Sequence, residues 1–188
     1  MKFAYSVLTF SLLALVGWPS LGHSAEDKLA AVSWLVGDWT GVSEGEPGAS
    51  ATTRHAHRVQ DNRYIMVEGR SVYPKQEKNK SGEIHTSIDL WSFDRRRNLI
   101  VMRQFDSLGF VSTYVQDRAA SAKGRIVLVS EHLENVPVGW KTRYTYEFRA
   151  PNEYHERFEL DPDGKGLQPY VVGNFLRVQP GSGVTSGE

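Results

Sequence analysis

From Gly37 onward the chain alternates side chains of opposite character with a period of two, and turn-forming residues interrupt the alternation at regular intervals. The pattern runs through 38–45, 51–60, 63–73, 83–93, 98–106, 109–117, 124–132, 140–149, 153–160 and 168–178. Between these runs stand Glu46-Pro47-Gly48, Asp61-Asn62, Lys80-Ser81-Gly82, Pro151-Asn152 and the stretch Asp161 to Gly166, all chemistry for reversals. Parallel neighbours would need helical crossovers, and none is present, so strands adjacent in sequence pair antiparallel. The two faces are clearest in 140–149, where Trp140, Thr142, Tyr144, Tyr146 and Phe148 alternate with Lys141, Arg143, Thr145, Glu147 and Arg149. One face meets a core and the other meets water. Such strands form a closed meander or a sandwich, and closure removes exposed edges. The expected fold is all-β: an antiparallel up-and-down β-barrel of about ten strands with one short N-terminal helix.

That helix is expected over 26–36, where Leu29, Val32, Leu35 and Val36 fall at helical spacing before Gly37. Ahead of it, Met1 and Lys2 precede an apolar run from Val7 to Trp18, followed by Pro19 and the small residues Gly22, Ser24 and Ala25. This layout predicts a secretory signal peptide over 1–25. The apolar run falls short of the ~20 residues that a membrane span needs. The protein is therefore expected to be exported, periplasmic or extracellular, with no stable membrane insertion after signal removal. The domain would cover 26–178. Residues 179–188 lack large apolar side chains and would form a disordered tail.

The sequence contains no cysteine, which excludes disulfides, thiolate metal sites and a lipidated cysteine. Its 22 basic and 22 acidic side chains balance, whereas nucleic-acid binders carry a basic surplus, so no nucleic-acid partner is expected. Arg95-Arg96-Arg97 reads as a solvated hairpin turn. Gly41-Val42-Ser43-Glu44-Gly45 matches a nucleophile elbow in letters, but hairpin chemistry follows it where a helix is required. Asp161-Pro162-Asp163-Gly164-Lys165-Gly166 resembles the start of a calcium loop, yet the twelfth position is Val172 rather than a bidentate glutamate. A turn between the last two strands is the simpler reading.

Two constellations remain. His55-Ala56-His57 sets two imidazoles on one face of a strand, about 7 Å apart. The alternating Arg54 and Arg58 suggest that their own face is outward and that the histidines point inward. The pair reads as ordinary histidines, as polar lining of a cavity, or as two metal ligands needing a third from Glu68, His85 or Glu156. No metal site is assigned. In 153–160, Tyr154, Glu156, Phe158 and Leu160 share a face, which places Glu156 among aromatics if that face is inward. Tyrosines around a carboxylate suit an amphipathic ligand, because rings cover its apolar part and polar groups orient its head. The candidate ligand-binding residues are therefore His55, His57, Tyr144, Tyr146, Glu156 and Tyr170. The expected function is binding of a small hydrophobic or amphipathic molecule. The alternative is an enzyme using inward His and Glu side chains as acid–base groups.

Trp34-Leu35-Val36-Gly37-Asp38-Trp39-Thr40-Gly41, a short helix running into Gly-x-Trp at the first strand, resembles the opening of calycin-type barrels such as lipocalins and fatty-acid-binding proteins. With the closing Asn174-Phe175-Leu176-Arg177-Val178, the layout is most similar to bacterial exported lipocalin-like domains of unknown function. The resemblance implies that Trp39 closes the barrel floor under a basic residue from the last strand, here Arg177. A more distant similarity is to nitrobindin-like barrels, which bind haem through a histidine in a stretch resembling Gly166-Leu167-Gln168-Pro169-Tyr170. The matching position is Tyr170, which would be the haem ligand. No cofactor is assigned on this basis.

Overall fold

A computed structural model describes residues 26–179. The expected signal peptide (1–25) and residues 180–188 of the expected tail lie outside the described residues. The ten strands are β1 (Gly37–Gly45), β2 (Ser50–Val59), β3 (Tyr64–Tyr73), β4 (Glu83–Asp94), β5 (Leu99–Asp106), β6 (Val111–Gln116), β7 (Arg125–Glu134), β8 (Lys141–Ala150), β9 (Glu153–Asp161) and β10 (Gln168–Arg177). Each pairs antiparallel with its sequence neighbour, and β1 pairs with β10, so the barrel is closed. Among the described residues, no helix is long and apolar enough to cross a membrane.

The expected helix forms as a 3-10 helix over Ala30–Leu35. Its apolar residues explain the form: Leu29, Val32 and Leu35 recur every third position, the period of a 3-10 turn, and all three are buried. They plug one end of the barrel against Trp39, Tyr154 and Phe175. The Tyr154 and Phe175 rings stack at 4.6 Å, and Trp39 meets Tyr154 edge-on at 4.8 Å. Asp27, just ahead of the helix, accepts two hydrogen bonds from Arg58 of β2, at 3.0 and 2.6 Å.

Arg177 fastens this end. Its guanidinium lies 4.1 Å over the Trp39 ring, directly opposite it in the β1–β10 register. It donates to Val36 O at 2.7 Å, Trp34 O at 2.9 Å and Pro151 O at 3.0 Å. Carbonyls at a helix C-terminus have no partner within the helix, and a planar fork of donors satisfies two of them at once. Trp39 Nε1 in turn donates to Leu35 O at 2.7 Å. Gly37 makes room for the arginine: its φ is +134°, and a Cβ there would lie 2.0 Å from Arg177 Nη1.

The remaining interior divides in two. Towards the plug it is solid, filled by Ile65, Trp91, Met102, Leu128 and Tyr146. Towards the other end, where turns 46–49, 74–82, 107–110, 135–140 and 162–167 gather, it is hollow. Gln76 links two of these turns, accepting from Ala49 N and donating to Ala49 O, both at 2.8 Å.

Replacing Arg177 by alanine removes the stack and the helix-end hydrogen bonds together, and is expected to lower unfolding stability by about 2–4 kcal/mol. Arg177→Lys should recover less than half of that, because a lysine ammonium lacks the planar fork. Urea unfolding followed by tryptophan fluorescence measures both.

Candidate functional site

The hollow half rests on a polar floor, and the floor begins with the parity of β2. Trp39 points inward, and Arg54 is its partner across the β1–β2 pair, so Arg54 points inward too, between buried Thr52 and Ala56. Its Nη2 lies 3.5 Å from Glu156 Oε1 of β9, and the two side chains are only 15% and 13% exposed. The guanidinium also sits 5.4 Å from the centre of the Phe175 ring. Gly69, opposite Arg54 on β3, leaves the needed space, since a Cβ would stand 2.9 Å from Arg54 Nη1.

Beside this pair, Gln104 of β5 donates from Nε2 to Asp89 Oδ1 at 3.0 Å and to Tyr144 OH at 3.3 Å. Thr142 Oγ1 donates to Tyr114 OH at 3.1 Å, and the Tyr114 and Tyr144 rings meet edge-on at 5.2 Å. Electrostatics sort these groups by charge. Burial opposes the Arg54 charge, but Glu156, Tyr154 and Asp89 outweigh it, so its pKa is raised and it stays cationic. Burial pushes the Asp89 carboxyl up to about 6, against the opposing pull of Arg54 and the Gln104 hydrogen bond. Burial likewise lifts Tyr114 to about 12 and Tyr144 well above the ordinary phenol range. Both phenols remain neutral hydrogen-bonding groups.

Above the floor opens a cavity of about 460 Å³. Trp140, Phe158 and Leu160 supply apolar wall, and Ser71, His85 and Ser112 supply polar wall. Of the candidate ligand-binding residues, Tyr144, Glu156 and Tyr170 line this cavity. Tyr146 lies deeper: it packs edge-on to Trp91 at 5.2 Å inside the solid core.

His55 and His57 are not inward, which corrects the orientation expected for β2. They share the outer face with Thr53, while Arg54 and Arg58 take the inner one. Neither face of Ser50–Val59 is apolar, so alternation alone does not show which side is the core; the carboxylates of Glu156 and Asp89 inside make the arginine face the inner one. Ser43, at the centre of the Gly-x-Ser-x-Gly run, is buried within β1 against Thr52 and forms no elbow.

Burial, with Glu46 and Glu83 nearby, raises the Tyr170 pKa, so its phenol stands neutral at the cavity wall. The cavity residues missed by sequence reasoning include Arg54, Gln104, Tyr114 and Thr142, with Asp89 behind them. Asp89 shares its parity with the buried Trp91, and that was the available signal. It was obscured because Ile84 and Ile88 of the same strand face solvent.

Asp89 gives a stability test. Its carboxyl has a pKa of about 6 in the fold against 3.8 when unperturbed. Between these values the folded chain holds a proton that the unfolded chain has released, so stability falls as pH rises through that window. Asp89→Asn should remove this slope. Relative to wild type, the variant should gain on the order of 2 kcal/mol between pH 4 and pH 8, measured by urea unfolding across that range.

No protein-family profile and no curated protein matches the chain. Solved structures do. The crystal structure of Rv2717c from M. tuberculosis aligns with a TM-score of 0.59 at 14% identity, covering 81% of this chain and 98% of that one. The structure of EF1p2_mFAP2b bound to DFHBI aligns with a TM-score of 0.40 at 11% identity, covering 79% and 97%. At such identities the likeness to Rv2717c is one of fold, and with the ten-strand closed meander it describes a calycin-like barrel.

Proposed function

We propose that this protein is an exported binding protein that holds one small amphipathic molecule in the open half of its barrel. The observation that carries the proposal is the cavity of about 460 Å³ ending on a buried Arg54–Glu156 pair, with Gln104 and Tyr144 beside it. Ligand pockets commonly span roughly 300–1,000 Å³ and combine mostly apolar walls with a few fixed polar groups. Burying charges opposes folding unless they are paired, and this barrel keeps a pair where a solid barrel would place aliphatic side chains.

The floor also indicates the ligand's orientation. Arg54 and Glu156 offset each other in charge, so an uncharged head able both to donate and to accept hydrogen bonds matches them. Trp140, Phe158 and Leu160 would cover the apolar body. The acid–base alternative drew on inward His and Glu side chains, His57 and Glu156 among them; Glu156 lines the cavity but His57 lies outside it, which favours binding over acid–base chemistry. Export rests on the amino-terminal pattern of residues 1–25.

A neutral naphthylamine fluorophore should brighten on entering the cavity and bind at one equivalent. Ser71→Phe, which fills the wall without touching the floor, should weaken binding by at least about tenfold. Glu156→Gln should weaken a head-group-bearing amphiphile more than the naphthylamine. Native mass spectrometry of protein from its own host should show one retained small molecule. A bare protein together with no fluorophore binding overturns the proposal.

A further inference from the structure

The outer face of β2 carries a second cluster, on the far side of the strand from Arg54. His55 and His57 stand two residues apart there with ring centroids 4.8 Å apart, and the β2–β3 register sets Glu68 directly opposite His55. One donor atom from each of the three lies within 4.8 Å of the others. On the other flank, Asp38 of β1 is the register partner of His55, and its Oδ1 lies 2.5 Å from His55 Nδ1. Nδ1 of His57 is shielded from solvent and has no hydrogen-bond partner among the described residues.

We propose that His55, His57 and Glu68 bind a divalent transition-metal ion of the zinc class, with Asp38 orienting the His55 ring. Two imidazoles and a carboxylate are the donor set that such an ion prefers, whereas calcium and magnesium take oxygen donors. The Asp38 contact occupies Nδ1 and leaves Nε2 of His55 as the nitrogen that would bind the ion. A carboxylate behind a histidine is the usual outer support of a zinc ligand, fixing its tautomer and raising its basicity. Tetrahedral zinc with bonds of about 2.0–2.1 Å sets its donors roughly 3.4 Å apart. The exposed Glu68 side chain closes the difference by rotation about its own torsions. The fourth position faces solvent and takes water. Because the donors come from β2 and β3 and the support from β1, the bound ion would tie three adjacent strands together on the outside of the barrel.

The test uses the full chain without a histidine tag, stripped with EDTA and titrated with Zn²⁺ by calorimetry. One equivalent should bind. His57→Ala and Glu68→Gln should each weaken binding by at least tenfold, and Asp38→Ala by about 10–100-fold. His132→Ala, an exposed histidine on β7, should leave the affinity unchanged. Circular dichroism checks that each variant keeps the wild-type fold. Co²⁺ in place of Zn²⁺ should give visible absorption bands of a four-coordinate site. The proposal is overturned if wild type takes up no Zn²⁺, or if the His55→Ala/His57→Ala double variant binds it as tightly as wild type.

Discussion

The stack of Arg177 on Trp39 is the contact on which the rest of the molecule depends. Both residues sit at strand ends, Trp39 near the start of β1 and Arg177 at the end of β10, and their contact joins the first strand to the last. That junction turns an open sheet with two exposed edges into a barrel with none. The same guanidinium also reaches the carbonyls of Trp34 and Val36, so one side chain fastens the end of the closing seam and holds the plug. In a chain without cysteine, no covalent link can share this task.

With one end sealed by Leu29, Val32 and Leu35, the interior has a direction. Large side chains fill it from the plug up to Tyr146 and Trp91, and above them polar groups replace aliphatic ones. Close packing would make the upper half more stable, since a buried charge pair rarely matches a hydrophobic replacement. The barrel keeps Arg54, Glu156 and Asp89 there, with Gly69 in place of a side chain beside the arginine. The raised pKa of Asp89 reflects the same choice, a carboxyl held away from water with incomplete compensation. Retaining such groups next to an open cavity is the feature on which the proposed binding site rests.

The β2 strand shows how the two faces of one strand came to carry different chemistry. Its sequence alternates Arg54, His55, Ala56, His57 and Arg58, polar on both sides. A one-residue change in parity would exchange the histidines for the arginines. What sets the parity lies in neighbouring strands: Trp39 across from Arg54, and Glu156 on the far side of the barrel. The histidines thereby meet Asp38 and Glu68 outside instead of the cavity inside.

The ten strands, their antiparallel order and the short helix were legible in the sequence, because side-chain alternation and turn residues are local properties. The inward pair Tyr144 and Glu156 was also legible, since β8 and β9 each pair an aromatic face with a charged one; Tyr170 of β10 was singled out by its aromatic character and by resemblance rather than by alternation. The helix type differed because spacing by threes and fours looks alike over six residues. The orientation of β2, the depth of Tyr146 and the convergence of Arg54, Asp89 and Gln104 were decided only by the tertiary structure. Each depends on which residues stand opposite across the barrel, and that is a property of closure rather than of any single strand.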